Sequence, residues 1–542
     1  MQQIKTSEKT DIMRNVNVAF LPIALLSSIG YQANAETTEV KNEHPNILFI
    51  LADDLGWNDV GCMGSTFYET PHIDSLASKG VKFTNAYSAC TVSSPSRSSI
   101  MTGQYTPRHG VTDWIGEKSG EEWRKMKRKS KLLPADYNWC LPEEEYTIAE
   151  CLKDNGYTTF MAGKWHMGDP KTWPEDHGFE ISVGAGGMKG GYFAPFNNPK
   201  LPDNEPGENL SIRLGKETIK FMKEHQKSNP DKPFFAYLSF YAVHGPIQTN
   251  QKYWSYFRGK AERMGIADKG FKIDRTLPVR QHQDNPVYAG VIKEMDDAIG
   301  MVLHELRELG LDKNTLVIFT SDNGGVTSGD NYSTSLLPLR GGKGRQWEGG
   351  IRVPLIYSYP GCKSGSIIDT PVTGTDFYPT ILDYARLKLH PEQHKDGVSI
   401  MPLLNGKSIK PRSLFWHYPH YGNQGGEPSS IIRKGEWKLI YYYETDHCEL
   451  YNLSIDLGEH EPLNAQYPEK VKELRAELMQ WLQQVDAKRP VADPLYSPVE
   501  EAAVKNTWHT RLLKQQEKLR KDMFDKNWKP NENWWDSMVT ID

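Results

Sequence analysis

No stretch of this 542-residue chain is long and apolar enough to span a bilayer comfortably. The run Val18–Leu26, with Arg14 before it and Ala33-Asn34-Ala35 after it, reads as a secretory signal peptide over residues 1–35, cut before Glu36. An uncleaved anchor or a buried helix is the other reading of that run. No cysteine follows it directly, which argues against a lipoprotein. Charge of one sign is also missing. Lys and Arg number 64 against 69 Asp and Glu, a net charge of −5, so there is no nucleic-acid footprint. Cysteines number only six and none forms a CxxC pair, so nothing suggests a thiolate zinc site. In an exported protein some of the six can pair, and the connectivity stays open. Internal repeats are absent.

What is present is an ordinary soluble composition, 25% charged and 38% hydrophobic, in a chain long enough for one large domain and a smaller one. After a polar spacer, residues 36–44, the apolar run Asn46–Leu51 reads as a buried parallel strand that ends at Asp53-Asp54. Further strand-like runs lie at Val81–Tyr87, from Thr158, at Phe234–Phe240 and at Leu316–Thr320. They alternate with helical segments, the longest at roughly residues 286–310. This alternation predicts an α/β fold with a large doubly wound sheet over residues 45–410. The pattern then changes. Trp437–Tyr443 and Cys448–Tyr451 read as antiparallel strands and residues 471–485 as a helix, which makes residues 411–498 a smaller α+β subdomain. Residues 499–542 read as a charged tail, helical at first. The Lys/Glu-rich segment 115–140 reads as an inserted surface loop or a solvated face. The glycines from Gly184 to Gly191 lack the strand-to-helix setting of a dinucleotide loop.

The chemistry gathers at Ser93-Ser94-Pro95-Ser96-Arg97, continued to Thr102-Gly103. Pro95 suits the first turn of a helix. Ser93 at a helix N-terminus, with Arg97 one turn on, suits an anion with a nucleophile beside it. On these residues alone a Ser-rich helix cap is the simpler reading. Cys90 is out of frame with Pro95 and Arg97. The oxygen donors Asp53, Asp54, Asp322 and Asn323 fall at strand ends, where α/β sheets bind ligands. An all-oxygen set suits Ca²⁺ or Mg²⁺, although each pair alone is also a common cap or turn. Lys164 in Gly163-Lys164-Trp165-His166, Lys343 in Arg340–Gly344, and His244 in Val243-His244-Gly245-Pro246 complete the polar set. Each of these alone is also an ordinary surface lysine or structural histidine.

Together these segments, in this order, resemble the formylglycine-dependent (type I) sulfatases of the alkaline phosphatase superfamily, in particular serine-type bacterial carbohydrate sulfatases. The run Glu348-Gly349-Gly350-Ile351-Arg352-Val353-Pro354 extends the match. The resemblance implies an alkaline-phosphatase-like mixed sheet flanked by helices, with a C-terminal subdomain carrying a short antiparallel sheet. It implies that Ser93 is oxidised to formylglycine by a radical-type maturase. It places Asp53, Asp54, Asp322, Asn323 and modified Ser93 around a metal ion, Ca²⁺ rather than Mg²⁺. Lys164 and Lys343 would neutralise the sulfate, and Arg97 would hold the formylglycine hydrate and the metal ligands. One hydroxyl of that hydrate would attack sulfur while His244 protonates the leaving alcohol. His166 would assist release of sulfate, an elimination that an unmodified serine cannot perform.

Trp416-His417-Tyr418-Pro419-His420-Tyr421 is rich in rings that suit a sugar, which makes Trp416, His417 and His420 candidate substrate contacts. Packing between subdomains is the alternative. The segment resembles sulfatases acting on 4-O-sulfated galactose or N-acetylgalactosamine. The expectation is therefore an exported periplasmic or extracellular sulfuric ester hydrolase. Its substrate would be a sulfated glycan of glycosaminoglycan, algal or mucin type. A phosphatase or phosphonate monoester hydrolase of the same superfold competes with it, but a zinc phosphatase would show several histidine ligands. A secreted glycan-binding protein with an inactive site is the third reading.

Overall fold

Strand Asn46–Ala52 (β1) is buried along its whole length because both faces are apolar. Ile47, Phe49 and Leu51 enter one core, while Leu48, Ile50 and Ala52 enter the other. The computed structural model describes residues 44–528, apart from 127–128, 169–170, 188–189 and 203–204. The expected signal peptide, nearly all of the spacer and the last residues of the tail (1–43 and 529–542) lie outside the described residues.

Around β1 stand Val81–Phe83 (β2), Thr158–Lys164 (β3), Ile181–Gly186 (β4), Phe234–Ser239 (β5), Thr315–Ser321 (β6), Leu355–Ser358 (β7) and Ser366–Ile368 (β8). They form one eight-stranded sheet in the order β8-β2-β7-β6-β1-β5-β3-β4. All its pairings are parallel except those of β7, which runs against β6 and β2. The sheet is thus mixed, as expected. Helices Leu210–Ser228, Gln251–Met264 and Pro286–Glu308 pack over one face, and Ile148–Asp154 and Phe377–Tyr384 over the other. The parallel arrangement aligns the carboxyl ends of the adjacent strands β6, β1, β5 and β3, and Asp322-Asn323, Asp53-Asp54, His244 and the Lys164–His166 segment lie at or just after these ends.

A second sheet of four antiparallel strands follows: Ser413–Tyr418 (β9), Ser429–Lys434 (β10), Trp437–Tyr442 (β11) and His447–Asn452 (β12). Helix Pro468–Gln484 covers one face through Leu474, Leu478, Trp481 and Leu482. The other face packs Trp416, Ile431, Ile440 and Tyr442 on Tyr87, Trp347 and Ile351 of the main body.

One expectation changes. Segment 115–140 is not a loose surface loop. It carries a short helix, Gly120–Lys125, buries Trp123, and pairs Leu132–Leu133 with Val491–Ala492. The described part of the tail is helical and docks on the main body. Arg520 is buried and donates to Asp284 Oδ2 at 2.6 and 2.8 Å, while Arg280 donates to Asp284 Oδ1 at 2.7 Å. Glu517 accepts from the backbone N–H of Gly270 and Phe271. Cys62, Cys90, Cys151, Cys362 and Cys448 form no disulfide.

Candidate active site

Ser93 opens the ten-residue helix Ser93–Thr102, so its hydroxyl sits at the positive end of the helix. Its Oγ donates toward Asp53 Oδ1 at 3.1 Å and lies 3.3 Å from Asn323 Oδ1. Asp53 and Asp54 follow β1, and Asp322 and Asn323 follow β6, its parallel neighbour, so one pairing register brings the two polar pairs together. Asp54 holds a positive φ of 66°, and its backbone N–H donates to Asp322 Oδ1 at 3.1 Å. Carboxylate oxygens of Asp53, Asp54 and Asp322 all lie within 4.8 Å of one another.

Three cations face these three acids. Arg97, fully buried one turn into the helix, donates through Nε to Asp322 Oδ2 at 2.8 Å and through NH1 to the Lys164 carbonyl and Ser239 Oγ. Lys164 Nζ donates to Asp53 Oδ2 at 2.7 Å, and Lys343 Nζ to Asp54 Oδ2 at 2.8 Å. Burial by itself pushes the Asp53 carboxyl up, but Lys164, His244 and Arg97 together hold it below the ordinary aspartate range. Burial lowers the Lys164 ammonium. It also works against the Lys343 ammonium, yet Asp54 and Asp330 more than offset it and raise that group. The glycines beside Lys343 are required. A Cβ on Gly342 would sit 2.5 Å from the Gly325 carbonyl, and Gly344 has φ +70°.

The two histidines stand at the mouth. His244 Nε2 is 3.6 Å from Asp54 Oδ2, and its Nδ1 lies 2.6 Å from the Gly245 carbonyl, which fixes Nδ1 as the protonated nitrogen of the neutral ring. His166 follows β3 at φ +58°, and neither ring nitrogen has a protein hydrogen-bond partner. Burial, then the nearby Lys164, holds the His166 imidazole well below its ordinary pKa. Ser93, His166, His244 and Lys343 line a cavity of about 180 Å³ together with Trp114, Asp330, Asn423 and Gln424. An unpartnered imidazole and a serine hydroxyl therefore look into one space beside an acidic cluster.

The donor set fits a hard divalent cation. Three carboxylates and the Asn323 amide oxygen are all oxygen ligands, and the three carboxylates are already balanced by three protein cations. A divalent ion there would leave the pocket net positive, which suits an anionic substrate.

Trp416, His417 and His420 are elsewhere. They are 3%, 1% and 1% exposed, respectively. Trp416 Nε1 donates to the Ser88 carbonyl, His417 bonds Ser430 Oγ and the Lys488 carbonyl, and His420 bonds Thr112 Oγ1. All three rings are enclosed by protein, and of their polar side-chain atoms only His420 Nδ1 has no hydrogen-bond partner, so they face no sugar. The segment just after them, Asn423-Gln424, reaches the cavity instead. The sequence marks that loop only by its glycines, Gly422, Gly425 and Gly426. Asp330 and Ser239 carry no sequence signal beyond a turn and a strand end.

The chain matches the Sulfatase family over residues 45–387, and the C-terminal family of N-sulphoglucosamine sulphohydrolase over residues 343–488. A protein described as a sulfatase from Formosa agariphila is 32% identical over 515 residues, covering 80% of this chain and 87% of that protein. The N-acetylgalactosamine-6-sulfatase of Canis lupus familiaris is 28% identical over 436 residues, covering 76% and 74%. Among solved structures, that of Ps i-CgsB in complex with k-i-k-neocarrahexaose superposes with a TM-score of 0.66 at 25% identity, over 88% of this chain and all of that one. The chain belongs to the sulfatase family and is a sulfuric ester hydrolase.

Proposed function

We propose that this protein removes O-sulfate from a sulfated carbohydrate, with residue 93 as the reacting group after oxidation to formylglycine. The observation that carries the reading is the setting of Ser93 Oγ. It lies at a helix N-terminus, 3.1 Å from Asp53 and 3.3 Å from Asn323, and shares a cavity with Lys343, His166 and His244. Relatives named for N-acetylgalactosamine 6-sulfate, and a similar structure holding a neocarrahexaose, support a sugar sulfate as substrate.

Asp53, Asp54, Asp322 and Asn323 would hold a hard divalent cation, which we take to be Ca²⁺ from the resemblance to the sulfatase family. When bound, that ion supplies charge stabilisation to the sulfate oxygens and acidifies the nucleophile. Formylglycine supplies a geminal diol, of which one hydroxyl is the nucleophile and the second allows sulfate to be expelled as the aldehyde returns.

The remaining roles belong to the chain's own side chains. Lys343 and Lys164 place positive charge where the sulfate oxygens gain negative charge. Arg97 fixes the helix that carries residue 93 against Asp322. His244, with Nδ1 committed to Gly245, presents Nε2 to the leaving oxygen and gives it a proton from the imidazolium form, in which Nε2 also carries a hydrogen. His166, a neutral imidazole without a protein partner, takes a proton from residue 93 during release. Export and a separate maturase complete the proposal.

A mass spectrum of the tryptic peptide Phe83–Arg97 from protein matured in its own host tests it. Loss of two hydrogens at Ser93 is expected, and an intact serine in active protein overturns the mechanism in favour of phosphoryl or phosphonate chemistry. The 4-O preference expected from residues 416–421 loses the support of Trp416, His417 and His420, whose rings are buried. Sulfate release from galactose 4-sulfate against galactose 6-sulfate decides the position.

A further inference from the structure

The active cavity does not end at the histidines. Asp330 and Asn423 line it and also line a second, larger cavity of about 570 Å³. That size lies within the range of small-molecule sites, roughly 300–1,000 Å³. Asp330 is the post between the two. It has φ +30°, accepts from Gln424 Nε2 at 2.7 Å, and stands 4.0 Å from Lys343 Nζ. The far wall is the tail helix. Glu501, Val504, Lys505, Trp508, Leu512 and Gln516 recur at helical spacing on one of its faces. Trp508 and Leu512 bound a five-residue π-helical turn, a local widening that recurs at binding sites. Opposite stands Tyr421, stacked on Trp123 at 5.7 Å and 15°.

The charge of this groove is informative. Its acids are Asp330, Glu427, Glu444 and Glu501, and its only bases among the described residues are Lys129 and Lys505. Both lysines are paired, Lys129 with Glu500 and Lys505 with Glu501, each at 2.8 Å, and Glu427 is paired with Arg275 at 2.9 Å, so no lining base is left over for a sulfate. Glu444 accepts from the Tyr421 hydroxyl. A groove of aromatic faces and carboxylates suits the hydroxyls and apolar faces of uncharged sugars. It repels further sulfates.

We propose that this groove binds the sugar residues next to the sulfated one, and that those neighbours are unsulfated, with the tail helix as the outer wall. The proposal rests on the carbohydrate-sulfatase reading above and adds chain length and charge pattern to it. The enzyme would then act on a sparsely sulfated chain and discriminate against a densely sulfated one.

The test uses the full, matured chain and three probes for each sulfate position, 4 and 6. These are the free galactose sulfate, the same sugar carrying one unsulfated neighbour, and that disaccharide with a second sulfate on the neighbour. Sulfate release is read as kcat/KM. The unsulfated disaccharide is expected to exceed the free sugar by about tenfold or more, and the doubly sulfated one to lose about fivefold or more of that gain. In Trp508→Ala the gain should vanish while turnover of the free sugar stays within about twofold. Val504→Trp adds bulk on the same helix face without removing a packed ring and should do the same. Equal kcat/KM for the free sugar and the unsulfated disaccharide overturns the groove. An undiminished doubly sulfated probe overturns the charge reading. Release from no sugar probe, with an aryl sulfate still turned over, overturns the carbohydrate reading itself and the groove with it.

Discussion

Arg97 Nε donates to Asp322 Oδ2 at 2.8 Å, and both side chains are fully buried. This pair ties the helix carrying Ser93 to the end of the strand carrying the acidic cluster. Arg97→Ala leaves Asp322 buried without its partner, which costs about 3–5 kcal/mol by the usual cost of breaking a buried pair. Arg97→Lys keeps a charge but cannot reach Asp322, Ser239 and the Lys164 carbonyl at once. Thermal unfolding should show a large drop for Arg97→Ala and a smaller one for Arg97→Lys. Both should be inactive on an aryl sulfate under conditions where they remain folded.

Lys343 is rigidly placed, with its backbone N–H on the Gly325 carbonyl and its Nζ on Asp54. Lys343→Ala removes one preorganised cation from the sulfate side, and kcat/KM should fall by about 10²–10³, the usual cost of losing one such group. Steady-state sulfate release checks it. A loss under fivefold would remove Lys343 from the reaction.

His244→Asn should lower kcat by about 10²–10⁴ on a sugar sulfate, because the alkoxide then leaves without its proton. The same variant should lose far less on an aryl sulfate whose phenol is acidic. Equal losses on the two substrates would deny His244 the role of acid.

Trp416 and His417 should prove structural. Trp416→Ala opens the packing between Tyr87 and the second sheet, at a cost of about 3–5 kcal/mol. His417→Gln should lower the melting temperature and leave KM for the sugar sulfate unchanged. A selective rise in KM would return this segment to the substrate.

Glu294 sits buried on helix Pro286–Glu308, accepting from Asn250 Nδ2 at 2.8 Å, and burial pushes its carboxyl from 4.5 up to about 8. The folded state keeps a proton that the unfolded chain has lost. That contribution is complete below the unfolded value and is lost as pH rises toward about 8. Melting temperature should therefore fall between about pH 5 and 8, and fall less in Glu294→Gln than in the unaltered protein. Parallel curves for the two would show that Glu294 is ionised in the fold.

The segments that carry the chemistry were readable in the sequence because each sits at an element boundary with a strong local signal. Asp53-Asp54 ends an apolar run, Asp322-Asn323 ends another, and Pro95 announces a helix start just after Ser93. Strand β9 escaped notice because His417 interrupts its apolar pattern, yet that imidazole is buried by bonding Ser430 and Lys488. Aromatics and histidines read the same in a sugar site and in a satisfied core. Only their neighbours tell them apart.

The order of residues determined the alternation of strands and helices, the oxygen-rich strand ends, the Ser93 motif and hence the family. These depend on local periodicity and short spacing. The tertiary structure decided everything that joins distant segments. Pairing of β1 with β6 sets the acidic cluster, the Arg97 side chain finds an aspartate 225 residues away, and the tail helix closes a groove begun by residues 329–332 and 421–427. Such contacts follow from the burial of apolar faces on a whole sheet, a property of the assembled chain that no short window of sequence contains.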